Sequence, residues 1–289
     1  MYQLMYGKFI AEEIFKNIKI PMDIKMAIIL VGDDPASHIY VRNKIKKDEQ
    51  LGIKCDLYEL EKNISEGELL SLIDKLNNDD TTGIVVQLPL PKHLNSEKII
   101  RHIDPFKDID GLHPLNYGNL ILKNDLENML IPATPLGVYS ILDYYDIETC
   151  GKNCVIVGRG LTVGTPLSIL LSKNIKRGNC TVTLCNSKTM NLSRYTSNAD
   201  ILISAVGKPN FIKENMVQEG AVVIDVGISR IEDKSKKNGE RIVGDVDFEK
   251  VKDKCSYITP VPGGVGPMTI AGLILNLLKA YKMQKSLII

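Results

Sequence analysis

The chain has 289 residues, of which 44% are hydrophobic and 25% are charged. This balance is that of a folded globular protein, and the length suits two α/β domains better than one small core. The formal net charge of +1 gives no overall field that would attract nucleic acid or a membrane surface. We therefore expect neither nucleic acid nor a membrane among the partners.

The N-terminal residues and the cysteines predict a cytoplasmic protein. Residues 1–8 lack the basic stretch, apolar run and small-residue cleavage site of a secretory signal, and apolar stretches such as 26–31 are too short to cross a bilayer. The six cysteines form no CxxC pair, and the four histidines are scattered. Buried free thiols in a reducing compartment, without disulfides or a metal site, are the simplest interpretation.

Runs rich in Ile and Val alternate with longer amphipathic stretches, which is the βαβ pattern of a parallel sheet. In the first half of the chain, the predicted elements are the strand Lys25–Val31, the helix Ser37–Leu51, the strand Ile53–Leu60, the helix Glu66–Asn77 and the strand Gly83–Leu88. The first helix should stop at Gly52, a residue favoured just beyond a helix end. The third strand should end at Pro89, because proline cannot donate to the ladder.

Between residues 104 and 120 the periodicity fails and Pro, Gly, Asp and Asn accumulate, which indicates a linker and a loop. A helix opens at Pro135, and a second βαβ series starts at Asn153. The other elements predicted there are the strands Cys154–Val157, Thr181–Cys185, Ile201–Ala205 and Val222–Val226, an exposed loop over 232–240 and a helix over Pro267–Lys282.

These elements predict an α/β fold with two domains. The first is an N-terminal α/β domain over residues 1–132, and the second is a Rossmann-like domain over 133–266. The C-terminal helix, within 267–289, can pack on either domain, and it completes the first one in the arrangement that we favour.

A glycine-rich turn connects the first strand of the second series to a helix. Gly158, Gly160 and Gly164 have the spacing G-x-G-x-x-x-G, one residue longer than the usual dinucleotide fingerprint. Such a turn lets backbone N–H groups and the helix N-terminus approach a pyrophosphate. A tight βα turn that binds nothing is the alternative.

The end of the next strand distinguishes between the two nicotinamide cofactors. It reads Cys185-Asn186-Ser187-Lys188, without the Asp or Glu that usually hydrogen-bonds the ribose of NAD. Ser187 and Lys188, together with Arg159, can surround a 2′-phosphate with donors and positive charge. We therefore predict NADP rather than NAD, against the alternative of an ordinary solvated loop.

Three sets of polar residues mark a second candidate site. Tyr40 and Lys44 are four apart on one helix face, and a lysine partly desolvated beside an aromatic ring suits acid–base work. Gln87 stands at the carboxyl end of a strand, where ligands collect in α/β sheets. Asp110 precedes a glycine. Each has a structural alternative, namely an exposed helix pair, a strand end and a simple turn.

Together these stretches resemble the bifunctional methylenetetrahydrofolate dehydrogenase/cyclohydrolase family. The matching segments are YVRNK (40–44), VQLPLP (86–91), DIDGLHP (108–114), the glycine turn, VIDVGI (223–228) and TPVPGGVGPMT (259–269). The last of these is highly specific, and the segments span nearly the whole chain in the order of the family.

The resemblance implies two domains that flank a cleft, in a homodimer. It also implies oxidation of 5,10-methylenetetrahydrofolate to 5,10-methenyltetrahydrofolate with NADP, followed by hydrolysis to 10-formyltetrahydrofolate. These are reactions of one-carbon metabolism that supply purine biosynthesis. No metal is required, because the carbon that water attacks is already part of a cation.

The resemblance also assigns roles to individual residues. Tyr40 would stack on the aminobenzoyl group, Lys44 would be the central catalytic group, oriented by Gln87, and Asp110 would pair with the pterin. Further residues expected at the folate site are Val41, Arg42, Asn43, Val86, Leu88, Pro262, Gly263, Gly264, Val265 and Gly266. Residues expected at the NADP site are Gly158, Arg159, Gly160, Ser187, Lys188 and Ile228.

Three positions depart from the family pattern. Gly160 stands where Ser is frequent, Asn186 where His is common and Ala133 where Cys is common. The first two bear on the NADP prediction, and the third leaves the proposed folate contacts untouched. Two other functions remain as alternatives: an NAD(P)-dependent dehydrogenase of another small metabolite, and a non-catalytic dimeric scaffold.

Overall fold

The computed structural model describes residues 2–233, 235 and 239–286. The chain forms two compact units. The unit that contains Lys44 comprises Phe15–Ala133 and Gly272–Ile289, and the unit that contains Gly158 comprises Met1–Ile14 and Thr134–Ala271. We name them the Lys44 unit and the Gly158 unit. The N-terminal segment up to Ile14, predicted in the first domain, belongs instead to the Gly158 unit.

The described helices and strands follow one another in an alternating order. Up to residue 122 they are β1 (Gln3–Leu4), α1 (Gly7–Asn17), β2 (Lys25–Val31), α2 (Pro35–Leu51), β3 (Lys54–Leu60), α3 (Glu66–Asn78), β4 (Gly83–Val86), α4 (Ser96–His102) and α5 (Pro114–Leu122). From residue 133 they are α6 (Ala133–Tyr144), β5 (Asn153–Val157), α7 (Gly164–Ser172), β6 (Thr181–Cys185), α8 (Ser193–Thr196), β7 (Ile201–Ser204), β8 (Ala221–Asp225), β9 (Ser229–Glu232), β10 (Glu240–Val243), α9 (Phe248–Val251), β11 (Cys255–Ile258) and α10 (Val265–Ser286).

The sheet of the Lys44 unit has the strand order β3-β2-β4, and all its pairings are parallel. The central strand β2 has the predicted bounds, and its residues from Met26 to Val31 are all buried. A strand that is covered on both faces needs a continuous apolar run, which explains why its bounds were readable from the sequence. Ile29 pairs with both Tyr58 and Val86, so the carboxyl ends of the strands lie at one edge.

The helix α2 begins and ends at residues suited to those positions. The Asp34 carboxylate accepts a hydrogen bond from the backbone N–H of Ser37 at 2.8 Å, and Pro35 occupies the first turn. Gly52, predicted as the stop, adopts φ 74° beyond the last turn. These ends fix the register of the helix that carries Tyr40 and Lys44.

The prediction of a linker and loop over 104–120 is wrong in its second part, since α5 begins at Pro114. Proline is well suited to the first turn of a helix, where its missing N–H is not needed. The ring of His113 accepts a hydrogen bond from the backbone N–H of Leu115 at 3.0 Å and so caps the helix. A Pro- and Asn-rich composition therefore concealed a helix start.

The sheet of the Gly158 unit has the order β1-β11-β8-β7-β5-β6, also with parallel pairings. The last residue of β5, Val157, pairs with Cys185 of β6 and with Ser204 of β7. Ser204 pairs with Asp225 of β8. Four consecutive strands therefore end at one level, and the loops that follow them share one edge.

Two regions of this unit were not predicted as strands. The short strands β1 and β11 extend the sheet, and β9 and β10 pair as an antiparallel ribbon. The predicted loop over 232–240 includes residues 234 and 236–238, which lie outside the described residues.

The helix α10 is longer than predicted at both ends. Within the Lys44 unit, the fully buried Asn276 donates to the carbonyl oxygens of Ile109 at 2.8 Å and Ile131 at 2.6 Å. These bonds tie the segment from Gly272 onward to the loops around Asp110 and Pro132. Residues 287–289 of the predicted C-terminal segment lie outside the described part. In that described part of the chain, no helix is both long and apolar enough to cross a membrane.

Candidate active site

Lys44 is the central charged group of the Lys44 unit. Its side chain points to the buried face of α2, where the residue is only 8% exposed. The Nζ donates a hydrogen bond to Oε1 of Gln87 at 3.0 Å. Burial lowers the pKa of the lysine, while the charges of Asp110 and Asp48 oppose that shift. The amine is thus more easily deprotonated than an exposed lysine.

Gln87 is held rigidly at the end of β4. Its backbone N–H donates to the carbonyl of Ile29 at 2.9 Å, and its Nε2 donates to the carbonyl of Leu88 at 2.8 Å. The next peptide bond, Leu88–Pro89, is cis. With the amide nitrogen engaged by the backbone, the amide oxygen is directed at Lys44.

Asp110 belongs to the same charge cluster. Burial raises the pKa of its carboxyl, and the charge of Lys44 works in the opposite direction. The loop around it is held by Asp108, whose Oδ2 accepts from the backbone N–H of His113 at 2.7 Å and from Nδ2 of Asn116 at 2.9 Å. Asp108 is 1% exposed, and burial raises its pKa to about 7. It is a residue that shapes the site and that the sequence did not single out.

The other residues predicted on α2 and β4 lie in different surroundings. Tyr40 is 40% exposed, and Arg42 and Asn43 are exposed as well. Val41 and Val86 are buried in the core, at 1% and 4% exposure. Among the predicted folate residues on α2, Tyr40 and Lys44 therefore combine a side chain of suitable chemistry with a common helix face.

Two further polar residues lie beside Lys44 and were missed. Asp48 follows it by one turn of α2 and is 1% exposed. Cys55, on the neighbouring strand β3, contributes a thiol hydrogen bond to the Asp48 carboxyl. The sequence contained a usable signal, since Asp48 continues the four-residue spacing of Tyr40 and Lys44.

The segment Pro262–Gly266 belongs to the Gly158 unit. It begins with the cis bond Val261–Pro262, and the carbonyl of Gly263 accepts from the N–H of Lys8 at 3.0 Å. A Cβ placed on Gly266 would lie 3.4 Å from Cδ1 of Ile228. The structure thus brings this segment to Ile228, a predicted cofactor residue, and its assignment to folate remains a prediction.

The glycine turn after β5 is built for close approach of the backbone. A Cβ on Gly158, which has φ 116°, would overlap the carbonyl oxygen of Ala205, and one on Gly164 would overlap the carbonyl oxygen of Gly158. The N-terminus of α7 has no side-chain cap, so its N–H groups have no side-chain acceptor there. Arg159 and Gly160 are exposed beside them. These features fit a dinucleotide pyrophosphate.

The turn after β6 presents two exposed donors, Ser187 and Lys188. Its shape is set by Asn186, whose Oδ1 accepts from the N–H of Lys188 at 2.9 Å and whose own N–H donates to Oγ1 of Thr189 at 2.9 Å. The residue in the family's His position is therefore engaged in holding the turn. No carboxylate occupies residues 186–189.

A buried pair of carboxyls orders the two remaining loops at this edge. Asp245 is fully buried and accepts from the N–H groups of Val206 at 2.7 Å and Lys208 at 2.8 Å. Asp225 accepts from the N–H groups of Gly227 at 3.0 Å and Asp245 at 2.9 Å, and burial raises its pKa to about 7. The pair thereby fixes the backbone that leads to Ile228.

Comparison with known proteins identifies the chain. The catalytic domain of tetrahydrofolate dehydrogenase/cyclohydrolase matches residues 5–110, and the NAD(P)-binding domain of the same enzymes matches residues 132–285. The chain belongs to the tetrahydrofolate dehydrogenase/cyclohydrolase family. The resemblance seen in the sequence and the predicted two-domain α/β fold are confirmed.

Relatives cover most of this family member. The bifunctional protein FolD of Amoebophilus asiaticus is 55% identical over 260 residues, which are 90% of this chain and 86% of that protein. The crystal structure of the bifunctional FolD of Campylobacter jejuni is 45% identical, with a TM-score of 0.88, and covers 98% of this chain and 100% of that one. The Trypanosoma brucei FolD, complexed with NADP cofactor and an inhibitor, is 33% identical, with a TM-score of 0.90 and 98% coverage of both chains.

The structure accounts for the family departures in local terms. A Cβ on Gly160 would meet no atom within 4 Å in the described structure beyond its chain neighbours, so packing does not require glycine there. Ala133 is 1% exposed at the start of α6, where a Cβ on Gly272 would overlap its carbonyl oxygen. Among residues 2–233, 235 and 239–286, His, Cys, Asp and Glu form no group of three or more that could hold a metal ion.

Proposed function

We propose that this chain oxidises 5,10-methylenetetrahydrofolate to 5,10-methenyltetrahydrofolate with NADP, and then hydrolyses that product to 10-formyltetrahydrofolate. The observation that carries the proposal is the buried amine of Lys44, hydrogen-bonded to Gln87 at 3.0 Å and close enough to Asp110 for their charges to interact. This set occurs in a chain whose two halves match the two domains of the family.

The Lys44 unit would bind the folate. In this proposal the exposed ring of Tyr40 stacks on the aminobenzoyl group, and Asp110 accepts two hydrogen bonds from adjacent N–H donors of the pterin. Asp110 has the burial that such recognition needs, because a charge-assisted hydrogen bond is stronger where water is excluded. The neighbouring residues of α2 and the Pro262–Gly266 segment complete the proposed folate contacts.

Hydrolysis of the methenyl cation needs a base and then an acid. Water adds to the cationic carbon and loses a proton, and the bond from that carbon to N5 then breaks as N5 gains a proton and the formyl group forms on N10. Lys44 can accept the first proton and return one to N5. Because burial lowers its pKa, more of the amine is neutral near pH 7 than in an exposed lysine. Gln87 keeps the amine in one position.

The Gly158 unit would hold NADP. The backbone of Gly158, Gly160 and the α7 N-terminus suits the pyrophosphate, and Arg159, Ser187 and Lys188 suit the 2′-phosphate. Ile228 belongs to the same proposed site. Bound NADP supplies the acceptor for the hydride that leaves the methylene carbon. The pair Asp225 and Asp245 keeps the loops of this edge in place.

The surroundings of the enzyme are proposed on separate grounds. We propose a cytoplasmic homodimer of one-carbon metabolism whose product serves purine biosynthesis. All six cysteines are free thiols, and four of them are buried, which suits a reducing compartment. Sedimentation analysis of the purified protein tests the dimer, and a monomer at micromolar concentration would contradict it.

A coupled assay tests the two activities together. The enzyme is mixed with 5,10-methylenetetrahydrofolate and NADP while NADPH and the methenyl absorbance are followed. We expect NADPH to accumulate while the methenyl signal rises and then decays faster than in buffer alone. NADPH formation with buffer-rate decay would leave a dehydrogenase only. Efficiency with NAD equal to or above that with NADP would contradict the proposed phosphate site.

A further inference from the structure

Asp48 is a buried acid that the fold itself does not explain. It lies in the last turn of α2, where the helix dipole disfavours negative charge. The residue is 1% exposed, and its Oδ2 accepts no hydrogen bond from any residue that the structure describes. A buried polar atom without a partner costs free energy, and an apolar side chain would fill the same space without that cost.

The surroundings of Asp48 connect it to the proposed catalytic amine. Lys44 lies one turn earlier on the same buried face of α2, and the two charges interact. From β3, the thiol of Cys55 donates to the Asp48 carboxyl. Burial raises the pKa of Cys55, so the thiol keeps its proton and remains a donor. The other charged groups that face these three side chains are Glu49, Asp56 and Asp110.

We propose that Asp48 is a positioning residue that sets the protonation state of Lys44 and thereby the pH range in which the methenyl cation is hydrolysed. The proposal rests on the proposed cyclohydrolase function. It follows from the cluster: a carboxyl, a thiol and an amine are buried together on α2 and β3, and one carboxyl oxygen is left without a partner. Asp48 acts through Lys44 and needs no contact with the folate.

The direction of the effect follows from the charges. Ionised Asp48 favours the ammonium form of Lys44, and protonated Asp48 favours the neutral amine. Burial raises the pKa of Asp48 to about 7, so this carboxyl changes charge near neutral pH, and its titration is coupled to that of the lysine. Removing the carboxylate withdraws a group that raises the pKa of Lys44. The amine should then deprotonate at lower pH.

The pH dependence of methenyl hydrolysis tests this inference with Asp48→Asn, which keeps the size of the side chain and deletes its charge. We expect the rate profile, after subtraction of the buffer reaction, to move to lower pH by about one unit. The matched control is Glu49→Gln, which removes the same charge from the adjacent, exposed position of α2. Its profile should superimpose on that of the wild type. A merely structural role would lower the rate at every pH without moving the profile.

An Asp48→Asn profile that coincides with the wild type, or an equal shift in Glu49→Gln, would overturn the proposal. A second measurement uses the unaltered protein and decides the matter if Asp48→Asn does not fold or if the wild type fails to hydrolyse the methenyl cation. Carbon-13 NMR follows the Asp48 carboxyl and the Lys44 ε-carbon during a pH titration. We expect a common midpoint for one step of both signals, and independent titration of the two groups would refute the coupling.

Discussion

The two binding regions place their charged groups in opposite surroundings. In the Lys44 unit the working groups are buried, and burial moves the pKa of both Lys44 and Asp110. In the Gly158 unit Arg159, Ser187 and Lys188 are exposed, and the buried groups there hold backbone. Proton transfer benefits from groups whose charge is easily lost or gained. Phosphate binding instead requires a preformed backbone turn and charges that are always present.

The largest effect predicted from this contrast belongs to Lys44. Lys44→Met keeps much of the bulk of the side chain and removes the amine, so hydrolysis should fall about 10²–10⁴-fold, the usual range for a lost acid–base group. Hydride transfer depends mainly on positioning and should fall less. In the coupled assay methenyltetrahydrofolate should therefore accumulate.

The control is Lys46→Met, which removes an exposed lysine from the same helix. It should leave both activities unchanged. Equal losses of oxidation and hydrolysis in Lys44→Met would mean that the amine orients the folate for either step, and full hydrolysis would exclude it as the proton carrier.

The next effect concerns substrate affinity. Asp110→Ala should weaken the binding of a folate analogue by about 1.5–3 kcal/mol, the usual loss for hydrogen bonds to a charged group. Calorimetry with the analogue and with NADP separates the two regions, because NADP affinity should not change. If both ligands weakened alike, Asp110 would be maintaining the fold instead of binding the pterin.

A smaller effect is expected in the cofactor region, where the charges are solvated. Lys188→Ala should lower kcat/KM for NADP by about two- to fivefold, since an exposed ion pair contributes up to about 1 kcal/mol. The value for NAD should remain as it is. Lys250→Ala, another exposed lysine of the Gly158 unit, is the control. A loss of the same size with both cofactors would argue against a 2′-phosphate contact.

The smallest effect is expected at Gly160. Gly160→Ser should change the free energy of unfolding by less than about 0.5 kcal/mol, because a side chain there meets open space. Gly164→Ala is the informative contrast, since its Cβ would overlap the carbonyl oxygen of Gly158. Thermal unfolding should show clear destabilisation for this second variant only. Similar losses in both variants would refute the assigned geometry of the turn.

The sequence predicted best what depends on local pattern. The buried strand Lys25–Val31 and the stop at Gly52 follow from a continuous apolar run and from one residue's conformational freedom. The strands β1 and β11 were missed because a strand of two or four residues carries no measurable periodicity. The helix α5 was missed because its proline and asparagine were read as turn residues.

The site was predictable in part for the same reason. Tyr40 and Lys44 followed from helical spacing, and Gln87 from its place at a strand end. The hydrogen bond between Lys44 and Gln87 joins residues 43 positions apart and could not be derived from spacing. Asp48 was missed because an acid on a helix is usually solvated, and only the fold reveals that this one is buried.

Hydrolysis of 5,10-methenyltetrahydrofolate supplied directly, with no NADP present, tests most directly whether proton chemistry belongs to the Lys44 unit alone. The wild type and Lys188→Ala should hydrolyse it at the same rate, while Lys44→Met should approach the rate in buffer. A requirement for NADP in the wild type, or a comparable loss in Lys188→Ala, would contradict the separation of the two regions.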